Sequence, residues 1–275
     1  SGAGVALSLE ALVEGLSGLP AGEVALNPMA LDVETLGRLL GVEAPLQGEV
    51  NGAVQLRGDG ESLEVQGSLK LGAGEVEVSA QVEDWQNVPG WEVELQLSGV
   101  DPAVYVPDLE PSRLTGRVSA TGRGWVPGPS TELEVVLEPG LCLGVEVEAL
   151  ELAAEVKEDG FQISRLHLDS SLGRIDADGI LAGEHFRGEV SANVPDLSSL
   201  QELGLSDFGG SATAVGRLDW GVGDSSVHFE GEMKGSRVEV SDGVVMREAQ
   251  GPIQISWAKG VLKGSGRTQA RGLEM

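Results

Sequence analysis

The stretch Gly48-Glu-Val-Asn-Gly-Ala-Val-Gln-Leu-Arg57 decides the fold class of this chain. Every second residue from Val50 to Leu56 is aliphatic or glycine, and most of the residues between them are polar. A β-strand sends successive side chains to opposite faces of a sheet. This period of two therefore predicts a strand with one apolar face and one hydrated face.

The same alternation recurs along the chain, in segments 63–71, 75–82, 91–98, 186–194, 211–220 and 227–234. Parallel strands, which are buried on both faces, give unbroken apolar runs instead. The alternation is therefore typical of antiparallel sheets with one solvated face, and the fold class is predicted as mainly β. A few short helices are also expected, over 8–16, over 33–40 after Asp32, over 197–203 after Asp196, and in a turn that starts at Asp101.

Composition excludes several classes of function. The 275 residues include 18 Lys and Arg against 44 Asp and Glu, which gives a net charge of −26. Binding to nucleic acid, or to an anionic membrane surface through a basic patch, needs cationic clusters that this chain lacks. The hydrophobic content of 41% is too high for a disordered acidic tail, and the single cysteine, Cys142, cannot form an intramolecular disulfide.

An internal repeat organises the chain. Three times, an aspartate that can cap a short helix comes 14 to 16 residues before the glycine of a strand start. The pairs are Asp32 with Gly48, Asp101 with Gly116, and Asp196 with Gly210. The copies are unequally spaced, which indicates extra hairpins between fixed landmarks rather than a strict solenoid. We predict one continuous, elongated β-rich region over 1–275, with degenerate repeats over 24–100, 101–195 and 196–275. We also predict that this region is a piece of a longer protein.

This organisation resembles the AsmA-like superfamily and, within it, the TamB-type proteins of diderm bacteria. The resemblance rests on the strand starts Leu46-Gln-Gly48-Glu-Val50 and Leu114-Thr-Gly116-Arg-Val118, the segment Leu31-Asp-Val-Glu-Thr-Leu-Gly-Arg-Leu-Leu40, and the run that begins Gly144-Val-Glu-Val-Glu148. It implies an antiparallel sheet curled into an open trough with an apolar inside. It also implies a periplasmic location, with an anchor in the inner membrane through a segment outside this chain.

The family resemblance further implies lipid transport between membranes, outer-membrane assembly and protein translocation, with an outer-membrane β-barrel assembly protein as a partner. The residues point the same way, because an inner face of aliphatics and glycines with only 4% aromatic residues suits acyl chains. Each methylene buried on such a face gains about 0.8 kcal/mol without a directional contact. The predicted partners are therefore phospholipids or other acyl lipids. The groove candidates are Val50, Val54, Leu56, Leu69, Leu71, Val93, Leu95, Val118, Val135, Val190 and Phe229.

No motif for catalysis, cofactor binding or metal binding stands out, so the protein is predicted not to be an enzyme. The three histidines share no motif with a nucleophile and are expected to be solvated. Asp176-Ala-Asp-Gly179 lacks the further acidic ligands of a calcium loop and is predicted to be a turn.

The sequence leaves two alternatives open. A β-sandwich array, in which two sheets cover each other's apolar faces, would act as a surface adhesin or scaffold and would have closed cores. A carbohydrate-active β-structure would need aromatic residues beside paired carboxylates, for which Trp85 and Trp91, near Glu83 and Asp84, give thin support.

Overall fold

The structure is a computed structural model that describes residues 9–14, 21–32, 47–59, 61–106, 109–124, 130–157, 160–199, 209–221, 226–240, 244–258, 261–266 and 269–274. These residues form eighteen β-strands, a short 3₁₀ helix at Pro102–Val104 and a further 3₁₀ turn at 197–199. The prediction of a mainly antiparallel β structure with few short helices is confirmed.

The strands have the following bounds: β1 (Leu9–Glu14), β2 (Ala21–Asp32), β3 (Glu49–Gly58), β4 (Ser62–Leu71), β5 (Gly74–Glu83), β6 (Gly90–Val100), β7 (Leu114–Arg123), β8 (Glu132–Leu137), β9 (Gly140–Cys142), β10 (Val145–Lys157), β11 (Gly160–Ser170), β12 (Gly173–Ala182), β13 (His185–Val194), β14 (Gly209–Gly221), β15 (Ser226–Val240), β16 (Val244–Ala258), β17 (Val261–Gly266) and β18 (Gln269–Glu274).

The short helices are where the prediction is least accurate. The helix expected over 8–16 is wrong, because Leu9–Glu14 is strand β1 and pairs antiparallel with β2. Its Leu, Ala and Glu residues favour a helix, and pairing with the neighbouring strand overrides that preference. The helix expected over 33–40 lies outside the described residues. Of the helix expected over 197–203, only a single 3₁₀ turn at 197–199 is described.

The chain divides into two compact units, Ser1–Val147 (unit 1) and Glu148–Met275 (unit 2), with the boundary inside β10. In unit 1, strands β2 to β8 pair antiparallel in sequence order. In unit 2, strands β11 to β16 do the same, and β17 and β18 both pair with β16. The boundary between the two units falls inside the second predicted repeat, 101–195. The division into three repeats stays a prediction.

The strand register gathers the apolar residues of unit 1 on one face. Directly paired residues of an antiparallel sheet share a face, so the pairing can be followed across the strands as rows. One row is Leu56, Val65, Ala80, Val93, Ala120 and Leu133, and the next is Val54, Gly67, Val78, Leu95, Val118 and Val135. We call this surface the unit-1 apolar face. The row between these two on the opposite face is polar: Gln55, Gln66, Ser79, Glu94, Ser119 and Glu134.

Unit 2 repeats this arrangement. One row of its apolar face is Gly179, Gly188, Leu218, Phe229 and Ile255, and the next is Ala177, Val190, Gly216, Gly231 and Ile253. We call this surface the unit-2 apolar face. The turn predicted at 176–179 is wrong, because these residues lie inside β12. Gly179 serves close packing there, since a Cβ on it would come within 2.6 Å of the Gly188 Cα atom.

The landmarks of the predicted repeat share local geometry. Gly48, Gly116 and Gly210 all have positive φ, at 95°, 145° and 88°. Asp101 and Asp196 each accept a hydrogen bond from the backbone N–H two residues further on, at 3.0 and 2.9 Å. Each aspartate therefore caps a single 3₁₀ turn, as predicted for the start of a short helical segment.

Candidate functional site

The centre of the unit-1 apolar face is only partly buried. Among the groove candidates in this unit, Val50 is buried, at 4% exposed. The others are only partly buried: Val54, Leu56, Leu69, Leu71, Val93, Leu95, Val118 and Val135. The described strands of unit 1 all belong to one hydrogen-bonded sheet rather than to two. An aliphatic surface in the middle of a six-strand row would normally be covered by another layer, because apolar burial drives folding.

One end of this face is covered by a short segment, Asp101–Val106, which we call the Tyr105 segment. Tyr105 is 7% exposed and forms a buried cluster with Val50, against which Leu69 and Leu71 also pack. Hydrogen bonds outside the strand ladders hold the segment in place. The Asp101 carboxylate accepts from the backbone N–H groups of Ala103 and Ser112, each at 3.0 Å, and the Tyr105 carbonyl accepts from the Gln47 N–H at 3.0 Å.

The opposite end of the face carries Trp91. Its indole N–H donates to the Gly124 carbonyl at 3.0 Å, and its ring occupies the space that a Cβ on Gly122 would need. The Trp85 indole N–H donates to the Asp59 carbonyl at 3.1 Å. The carbohydrate alternative would use both indoles for sugar binding. The N–H group of each indole already donates to a backbone carbonyl.

Glycines also let aromatic rings lie against the unit-2 apolar face. A Cβ on Gly188 would come within 2.7 Å of the Phe186 ring, and one on Gly231 within 2.8 Å of the Phe229 ring. Large side chains that lie over neighbouring glycines give a low, even surface in place of protruding rings. The groove candidates Val190 and Phe229 are partly buried on this face, on which Trp220 is 44% exposed.

A titratable cluster lies on the polar face of unit 2. The His167 ring contacts the carboxylates of Asp176 at 2.6 Å and Asp169 at 3.1 Å, and the Arg174 side chain contacts Asp176 at 3.1 Å. The hydrogen bond to Asp176 raises the pKa of His167, with a smaller contribution from Asp169, and burial opposes the shift. The same bond lowers the pKa of Asp176, as does its bond to Arg174. His167 is therefore not freely solvated as predicted.

We expect this cluster to make stability depend on pH. A raised pKa means that folding favours the protonated ring, so the contribution of His167 is complete below its ordinary pKa of about 6.5 and is lost as the pH rises through the folded-state value. In urea unfolding from pH 5 to pH 9, the free-energy difference between wild type and His167→Asn should be largest at pH 5 and shrink as the pH rises. The same series with His228→Asn, a histidine on an exposed site, is the control. A difference that stays constant or grows with pH would contradict the assignment.

The described residues supply little other chemistry. Cys142 lies in β9, where burial raises the pKa of its thiol and so favours the unreactive protonated form. No group of three or more His, Cys, Asp or Glu side chains in the described part of the chain is arranged to hold a metal ion. Among the same residues, no helix has the length and hydrophobicity to cross a bilayer.

No protein-family model, curated protein or solved structure matches this chain. The resemblance to the AsmA-like superfamily therefore stays a prediction that rests on the residues quoted for it.

The structure places the groove candidates of each unit on a common face, as the alternation predicts. Sequence reasoning missed the cover at one end of the unit-1 apolar face. A usable signal was present, because Asp101-Pro102 opens a capped turn and a large aromatic residue, Tyr105, follows three positions later.

Proposed function

We propose that this protein is a non-enzymatic carrier that shields the acyl chains of lipids on its apolar sheet faces. The observation that carries the proposal is the partial exposure of a continuous aliphatic surface in unit 1, centred on Val93, Leu95 and Val118. An acyl chain laid along these rows would cover them, at a gain of about 0.8 kcal/mol for each methylene removed from water.

The chemistry of the two faces supports this role. Valine, leucine, alanine and glycine offer an acyl chain contact without hydrogen-bonding groups, so binding requires no particular headgroup. The opposite face of the same strands is polar, and the net charge of −26 keeps an open sheet hydrated and opposes association between copies.

The cellular setting follows from the family resemblance. In this proposal the chain lies in the periplasm, is tethered to the inner membrane by a segment outside this chain, and passes phospholipid or another acyl lipid along an open trough towards the outer membrane. Outer-membrane assembly and protein translocation would depend on that supply, with an outer-membrane β-barrel assembly protein as the receiving partner.

Site-specific photo-crosslinking tests the proposal. A photoreactive residue at Leu56 or Leu95, both on the unit-1 apolar face, should capture phospholipid when the protein is purified from cells or mixed with labelled vesicles. The same residue at Gln55 or Glu94, on the polar face of the same strands, should not. Mass spectrometry of the adducts identifies the lipid class. Equal capture at both pairs of positions, or none at either, would contradict the proposal and favour a closed scaffold or adhesin.

A further inference from the structure

The hydroxyl of Tyr105 is a buried polar group without a hydrogen-bond partner. The residue is 7% exposed, and its Oη atom has no partner among the described residues. A phenylalanine would fill the same space without leaving a buried hydroxyl unsatisfied, which costs stability. An orphaned group of this kind needs a physical reason for its presence.

What the hydroxyl lacks is an acceptor. Burial raises the pKa of Tyr105, so the phenol stays protonated at neutral pH. The backbone N–H of Gly72 lowers this pKa, but it does not meet hydrogen-bond geometry, and as a donor it could not accept the phenol proton. Among the described residues, the Tyr105 O–H group therefore has no acceptor. The missing partner is a hydrogen-bond acceptor that the described part of the chain does not supply.

We propose that the Tyr105 hydroxyl donates a hydrogen bond to the ester-carbonyl or carboxylate oxygen of an acyl lipid whose chain lies on the unit-1 apolar face. This inference rests on the proposed function and specifies where the oxygen-bearing end of the lipid lies. An acyl chain carries its acceptor oxygen at one end only, and Tyr105 lies at one end of the apolar face, packed with Val50 and next to Leu69 and Leu71. Lipids bound this way share one orientation, with the carbonyl at the Tyr105 segment.

Binding requires the Tyr105 ring to move, because its hydroxyl is sealed from solvent. The segment that carries the ring is held by the Asp101 carboxylate and by the Gln47 N–H rather than by a strand ladder, so this movement would leave the hydrogen bonds between the strands in place.

The substitution Tyr105→Phe removes the donor and keeps the ring. We would measure displacement of a dansyl-labelled fatty acid from wild type and variant by dodecanoate, methyl dodecanoate and dodecane. The variant should bind dodecanoate and methyl dodecanoate about 3- to 10-fold more weakly, the usual effect of one lost hydrogen bond, and dodecane with unchanged affinity. A loss confined to dodecanoate assigns a free carboxylate, and a loss for both assigns a carbonyl oxygen in general.

A second measurement does not depend on the variant. Tyr105 is the only tyrosine in the sequence, so 3-fluorotyrosine incorporation gives a single ¹⁹F resonance. That resonance should shift on addition of dodecanoate. Equal affinities of wild type and Tyr105→Phe for all three probes, or an unmoved resonance at saturating dodecanoate, would overturn the role of Tyr105 and leave the proposed function intact. Failure of the wild type to bind any of the probes would overturn the proposed function itself.

Discussion

The substitution Leu95→Asp should remove bound acyl lipid and leave the sheet folded. Leu95 lies in the middle of the unit-1 apolar face, paired with Val78 and Val118, and it is only partly buried. A carboxylate at this position stays hydrated and disfavours a bound acyl chain, because moving a charged side chain into hydrocarbon costs about 2.5 kcal/mol or more. The lipid recovered per protein after vesicle incubation should therefore fall at least about tenfold.

The matched control is Gln96→Asp, which adds the same charge at the neighbouring position on the polar face. Gln96 is exposed and is paired with Glu77 on one side and Arg117 on the other, so the new carboxylate has one charged neighbour of each sign. Lipid recovery should match wild type. A loss of equal size in both variants would show that charge, rather than the apolar face, determines recovery.

The stability of Leu95→Asp also separates an open face from a closed sandwich. On an open face the aspartate reaches water, and the unfolding free energy should fall by about 1 to 3 kcal/mol, mostly from lost leucine contacts. In a sealed core the buried charge would cost more than about 4 kcal/mol, enough to unfold a protein of ordinary stability. Urea unfolding followed by circular dichroism makes this distinction. An unfolded variant would contradict the open face.

The substitution Gly116→Ala should be among the most destabilising single-methyl changes in unit 1. Gly116 is buried in β7 with φ of 145°, a conformation that side-chain-bearing residues rarely adopt. An added Cβ would also overlap the Val136 carbonyl oxygen and come within 2.8 Å of the Leu137 Cα atom. These are backbone atoms of the paired strand β8, which cannot turn away as a side chain could. Strain and overlap together predict a loss of about 2 to 4 kcal/mol in the unfolding free energy.

The control for this change is Gly90→Ala at the start of β6. No atom lies within 4 Å of a Cβ built on Gly90, and its φ is not in the positive region. The unfolding free energy should change by less than about 0.5 kcal/mol, or rise slightly because alanine restricts the unfolded chain. Similar losses in the two variants, measured by urea unfolding, would show that the close approach of β7 and β8 does not explain the effect.

The strands were predictable because their signal is local and repeated. The alternation from Val50 to Leu56 falls in β3, and the alternation over 91–98 falls in β6. The signal is weaker where composition allows two structures. Leu9–Glu14 is rich in helix-favouring residues but is a strand, because a neighbouring strand pairs with it. Asp176 and Gly179 suggest a turn in isolation, but their side-chain period matches the strand that they occupy.

The candidate site was predictable only in part, for a similar reason. Membership of a face depends on the parity of a residue within its strand, which is why Val93, Leu95 and Val118 could be assigned from sequence. Whether another element covers that face depends on contacts distant in the chain. The contact of Tyr105 with Val50 joins residues more than fifty positions apart, so the capped turn at Asp101 marks the segment but does not indicate what it covers.

The amino-acid sequence by itself determined that this chain forms antiparallel strands with one aliphatic and one acidic, hydrated surface, because a side-chain period of two is a property of single strands. Only the tertiary structure decided which strands lie side by side, that Gly116 must allow β8 to approach, and that Tyr105 covers one end of the apolar face with an unsatisfied hydroxyl. Those features depend on register and on packing between distant segments, which the pattern within one strand does not specify.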